Sequence, residues 1–159
     1  MNAVAVLEFV ELFCAGLLAG AEFIVCFGVR STITVLDEQP QVQLRQALIR
    51  RLRVLVLAIY EPTLLSAVAV TVLAGAGDGF GFRRLGLLAV LVWTVTTFVG
   101  TVPINKATLT WRPEAPPEDW GAVVSRWERL DKVRFGAAVM AFAFFLTAVA
   151  LRLAARGTP

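Results

Sequence analysis

The sequence predicts an all-α integral membrane protein, a bundle of four transmembrane helices. Three observations carry this. Apolar stretches cover residues 4–29, 54–74, 85–102 and 135–153, each close to the ~20 residues that a helix needs to cross a ~30 Å hydrocarbon core. Hydrophobic residues make up 58% of the 159-residue chain and the mean hydropathy is +0.75, well above water-soluble domains. Backbone groups in lipid must be satisfied within their own segment, which selects helices over open strands. The length suits one integral membrane domain, residues 1–159, with its loops.

Charge sets the expected topology. Arg30, Arg45, Arg50, Arg51 and Arg53 border the loop between spans one and two. Lys106, Arg112, Arg126, Arg129, Lys132 and Arg134 border the loop between spans three and four, so one face holds eleven of the fifteen basic residues. Only Arg83, Arg84, Arg152 and Arg156 belong to the other face. The excess places both long loops in the cytoplasm and both termini outside. Because the basic residues flank the spans, their expected partner is the lipid bilayer, and no separate basic face exists for nucleic acid. Arginine outnumbers lysine thirteen to two, the bias of a GC-rich bacterial genome, which points to a bacterial plasma (inner) membrane.

Span one reads as a retained helix and not a cleaved leader, since it lacks a basic start and carries Glu8 and Glu11 early. Its Gly16-x-x-x-Gly20 is a close-packing motif that would also serve a homo-oligomer. Cys14 and Cys26 stand about 18 Å apart along one helix and cannot bridge each other. The segment Asp37-Glu38-Gln39-Pro40 interrupts the helix. From Val42 onward, Leu44, Leu48, Ile49 and Leu52 interleave with Arg45, Arg50, Arg51 and Arg53, a short basic amphipathic lead-in at the interface.

In span two, Pro62 lacks a backbone N–H and should kink the helix beside Glu61. The glycines of residues 75–81 make a tight outer turn, without the spacing or the preceding strand of a phosphate loop. Span three is expected to break at Pro103, exposing carbonyls beside Asn105. A proline- and acid-rich loop follows, and the last helix should start near Trp120 with Asp119 as its cap. Trp111, Trp120 and Trp127 suit interfacial anchoring.

Ionisable residues inside a membrane are costly and mark sites. Glu22 lies about seven residues from the inner end of span one and Glu61 about eight from the start of span two, roughly 10–12 Å deep on neighbouring antiparallel helices. Two carboxylates at one depth share a proton, bind a cation or pair with arginine. Arg30, Asn105, Glu128, Asp131 and Arg134 reach the same leaflet. The last three recur at a spacing that keeps them on one helix face, with Trp127 one turn before Asp131. Glu8 and Glu11 sit near the outer surface and read as solvated.

The chain has no histidine, which excludes a Ser-His-Asp triad, a Glu-x-x-His di-iron motif and histidine-ligated haem or copper. Metal chemistry would be left with hard oxygen ligands. No metal site and no organic cofactor is expected. A desolvated carboxylate remains available as a general base.

The segments Ala19-Gly20-Ala21-Glu22-Phe23, Arg45-Gln46-Ala47-Leu48-Ile49-Arg50-Arg51-Leu52, Gly100-Thr101-Val102-Pro103-Ile104-Asn105 and Trp127-Glu128-Arg129-Leu130-Asp131-x-x-Arg134 resemble the anthrone oxygenase-like family. These are small four-helix membrane proteins, largely grouped as a domain of unknown function. The likeness covers nearly the whole chain, and its most specific marks are the Pro-x-Asn ending span three and the Trp-then-Arg pattern entering span four. It implies oxidation of anthrones by O2 without a cofactor, and a pocket that includes Asn105, Trp127 and Arg134. Relatives carry a histidine in the turn before that arginine, where this chain has Asp131.

Three functions follow as expectations. The first is a cofactor-independent oxygenase acting on a lipophilic aromatic of the phenol or anthrone type. In it Glu22, Glu61 or Asp131 is the base, Arg30, Asn105 and Arg134 stabilise the resulting anion, and Trp127 and Glu128 wall the pocket. The second is a non-enzymatic carrier or accessory subunit using the same carboxylates for proton-coupled movement. The third is a structural bundle whose ion pairs hold helices together.

Overall fold

Every regular element in the described residues is helical, and four helices are long and apolar enough to cross a membrane, as a multi-pass membrane protein requires. A computed structural model describes residues 3–157. The helices are α1 (Ala3–Ile33), α2 (Glu38–Leu73), α3 (Phe80–Thr108) and α4 (Trp120–Gly157).

Three of the expected boundaries move. The basic lead-in and span two form one continuous helix of 36 residues. Pro40 falls in its first turn, where a missing N–H leaves no bond unmade, and the interruption sits just before it, with Gln41 N–H donating to the Asp37 carbonyl. Pro62 lies inside the same unbroken helix. Span three does not end at Pro103. The helix continues to Thr108 because a wide π turn, Thr96–Thr101, directly precedes the proline, and Val102 N–H reaches back five residues to the Thr97 carbonyl. That local unwinding absorbs the proline instead of terminating the ladder. A second π turn, Ile24–Val29, interrupts α1.

The helices pack in the spatial order α2–α1–α4–α3, and the α2–α3 seam that closes the ring is the thinnest. The core is narrow and built largely from alanine: Ala15 and Ala19 on α1, Ala67 on α2, Ala89 on α3, and Ala137, Ala138 and Ala141 on α4, around Leu18, Trp93 and Phe145. Small residues let helix backbones approach where lipid offers no hydrophobic drive between helices. Gly16 serves this packing within the chain, its Cα facing the Phe142 ring, while Gly20 opens onto free space. Gly79 is left-handed, with φ of 78°, and lies against the backbone of Ala148. Only glycine meets both demands at the turn between α2 and α3.

Candidate functional site

The inward stripe of α1 runs Glu8, Glu11, Ala15, Leu18, Ala19, Glu22, Cys26, a helical repeat with a carboxylate near each end. Glu22 is 2% exposed. Its Oε1 accepts from the Trp93 indole N–H at 3.0 Å and from Arg134, with which it forms a short ion pair. Arg134 also holds Asp131, at 3.2 Å, and lies over the Trp93 ring at 5.1 Å. Trp93 in turn stacks on Tyr60 at 4.7 Å, and the Tyr60 hydroxyl shares a hydrogen bond with Thr94. One turn nearer the start of α4, Glu128 pairs with Arg30 of α1 at 2.6 Å.

These groups border a cavity of about 150 Å³. Its walls are apolar, chiefly Val25, Val29, Leu52, Val56, Phe98 and Val102. Glu22, Arg30, Asn105, Trp127, Glu128, Asp131 and Arg134, all picked from sequence, line it together. Leu57 and Phe98, on the two sides of the α2–α3 seam, line the cavity and are also exposed on the outer surface of the bundle. The cavity therefore reaches the lipid-facing side as well as the Arg30 end.

The π turns explain how distant residues share this cavity. Eight residues separate Glu22 from Arg30, which in a regular helix leaves them about 80° apart in azimuth. A π turn absorbs one residue and brings the pair to within about 20°. Twelve residues separate Trp93 from Asn105, a mismatch of about 120° that the second π turn cuts to about 20°.

Several polar atoms facing the cavity have no partner in the protein. They are Glu22 Oε2, Arg45 Nε and Nη2, Thr97 Oγ1, Asn105 Oδ1, Trp127 Nε1 and Arg134 Nε. Buried polar atoms left unpaired cost about 1–3 kcal/mol each, so a cluster of them around one apolar-walled space is what a polar-headed ligand would satisfy. Among the described residues, no group of three acidic or cysteine side chains is placed to hold a metal ion.

Glu61 does not join this site. It is exposed on the outer face of α2, in line with Leu57, Leu65, Val68 and Val72, while Tyr60, Thr63, Ala67 and Val70 take the inward stripe. The expected pairing of Glu22 and Glu61 at equal depth is thus corrected: the depths agree, but Glu61 points away from the bundle interior. The expectation of a solvated Glu8 and Glu11 is corrected too. Glu8 is buried and ion-paired with Arg152, and Glu11 is 0% exposed with neither oxygen hydrogen-bonded.

Two residues escaped the sequence reading. Trp93 sits mid-span, away from the interfaces that tryptophan favours, and a buried indole N–H needs an acceptor; that position was the available signal. Arg45 falls on the buried stripe Val42, Arg45, Gln46, Ile49 of α2 and not among the exposed Arg50, Arg51 and Arg53. An arginine on the apolar side of an amphipathic helix is itself anomalous. Its neighbour Gln46 fastens α2 to the end of α3, donating to the Thr108 and Trp111 carbonyls. Comparison of the chain with family models, with curated proteins and with solved structures found no match.

Proposed function

We propose that the protein is a membrane-embedded, cofactor-independent oxygenase acting on a lipophilic phenol or anthrone. In this reading it lies in a bacterial plasma membrane with the long loops towards the cytoplasm, as the excess of basic residues near those loops suggests. The observation that carries the reading is the buried Glu22, whose Oε1 is held by Trp93 and Arg134 while its Oε2 meets no donor and borders an apolar-walled cavity. A carboxylate so oriented is built to accept a proton from a guest. Glu22 takes the proton from an acidic C–H or O–H, and Arg134 and Asp131 receive the charge change. The resulting carbanion reduces O2 and forms a C–O bond, and the peroxide anion takes back the proton from Glu22, giving a hydroperoxide. Loss of water then leaves a carbonyl: the substrate has lost two hydrogens and gained one oxygen atom, and the second oxygen leaves as water.

The resemblance of the lining segments to the anthrone oxygenase-like family selects the probe. Purified protein in nanodiscs should consume O2 with a dihydroxyanthrone faster than protein-free autoxidation, and Glu22→Gln should lower the excess by about 100-fold or more. Folded wild-type protein with no excess over autoxidation would sink the oxygenase and leave the non-enzymatic carrier as the better reading.

A further inference from the structure

Three carboxylates, Glu22, Asp131 and Glu128, stand around the cavity with three arginines, Arg30, Arg45 and Arg134, but the direct ion pairs leave one arginine out. Glu22 and Asp131 share Arg134, and Glu128 holds Arg30. Arg45 faces the same space, is 2% exposed, and has no carboxylate within ion-pair distance among the described residues. A guanidinium stays protonated at neutral pH, and a buried charge outside any direct ion pair is expensive. The Trp127 ring, 5.2 Å from the guanidinium carbon, supports one face of the cation. The side-on edge is unsatisfied, because Nε and Nη2, the two donors that form one fork, both lack a partner. Trp127 Nε1, also without an acceptor, adds a third donor from the residue that Arg45 stacks on. The arrangement offers a rigid donor fork on an aromatic shelf, with aliphatic walls leading away from it.

We propose that Arg45 anchors an oxyanion subsite, so that the cavity selects lipophilic acids: molecules with an apolar body and one ionised oxygen group, phenolate, enolate or carboxylate, seated on the Nε–Nη2 edge. This rests on the ligand cavity of the proposed function and adds the charge state of what fills it. Arg30 and Arg134 are in direct contact with carboxylates of the protein and Arg53 is exposed at the rim, so the buried fork left to receive a guest oxyanion is that of Arg45. In an oxygenase cycle the same fork would stabilise the anion once Glu22 has taken its proton.

The test needs no turnover. Tribromophenol and its methyl ether, tribromoanisole, have similar bodies and both quench tryptophan fluorescence. Only the phenol ionises at pH 8. With wild-type protein in nanodiscs, and with partitioning into empty nanodiscs subtracted, tribromophenolate should bind about tenfold tighter than the ether or better, the size of a charge-assisted hydrogen bond. Arg45→Met should abolish that preference, Arg45→Lys should keep part of it, and Arg53→Gln, at an exposed arginine on the rim, should leave it intact. Equal wild-type affinities for phenolate and ether would overturn the proposal, as would a preference that survives in Arg45→Met or disappears in Arg53→Gln. If Arg45→Met does not fold, the wild-type pair and Arg45→Lys still decide the matter. A phenolate preference without O2 uptake would reject the oxygenase and retain the subsite. O2 uptake without the preference would do the reverse.

Discussion

The two ends of the bundle both bury arginine and carboxylate, yet they are organised differently. At the end that holds the termini, Arg152 pairs with Glu8, and Arg83 donates to the Asp78 and Gly75 carbonyls, closing the turn that joins α2 to α3. Both cations there are committed to the fold. At the other end Arg134 and Arg30 are committed in the same way, but Arg45 is left over, and unpartnered atoms from all four helices converge on one apolar-walled space. Buried charge alone therefore does not identify a site in a membrane bundle. A buried cation that neither an ion pair nor a backbone carbonyl engages, beside an apolar-walled space lined by orphaned donors and acceptors, does.

The largest effect that tests this contrast comes from removing the central cation of each cluster. Arg134→Leu strands Glu22 and Asp131 together and should cost about 3–5 kcal/mol of stability, read by thermal unfolding in nanodiscs, with loss of tribromophenolate binding. Arg152→Leu should lower stability as well but leave phenolate affinity unchanged. If Arg152→Leu also abolished binding, the two ends would not be separable.

Glu11 gives an effect of opposite sign. Its carboxyl is buried at the terminal end with no hydrogen-bond partner, so Glu11→Leu removes unsatisfied polar atoms and should raise the melting temperature, by about 1–3 kcal/mol of added stability. A lowered melting temperature would show that Glu11 is held by contacts as good as those of Glu22. The smallest effect is expected at Glu61. Because it faces outward from α2, Glu61→Gln should change neither phenolate affinity nor O2 uptake by more than about twofold. A large loss would mean that a second copy of the chain brings Glu61 into use.

Depth was legible in the sequence and azimuth only in part. A rise of about 1.5 Å per residue places Glu22, Asp131 and Arg134 at compatible heights, and these three do meet. Glu61 satisfies the same arithmetic and fails, because the lipid-facing and core-facing stripes of α2 are both apolar and nothing in the local pattern distinguishes Leu65 from Ala67. In a soluble helix the polar face would have settled the rotation. Where the helix is amphipathic, around Arg45, the rotation was available: Val42 and Ile49, one turn to either side of it, mark the buried side. Glu8 and Glu11 looked solvated because what buries them lies on other helices, and distance along the chain says nothing about Arg152 or Arg83. The π turns left no signature in hydropathy either, so the alignment of Trp93 with Asn105 could not be foreseen.

Those two turns separate chain length from wall geometry. Losing one residue inside Ile24–Val29 or Thr96–Thr101 would let the ladder close into a regular helix of almost unchanged span, so the membrane topology would survive a deletion that most transmembrane helices tolerate poorly. Rotation would survive too: the residue removed is the one the wide turn absorbs, so Arg30 or Asn105 keeps its place on the cavity, whereas losing a residue from the regular part of α1 or α3 would swing everything beyond it by about 100°. The irregular turns are thus places where the chain can lose a single residue while both the fold and the lining of the pocket are inherited intact.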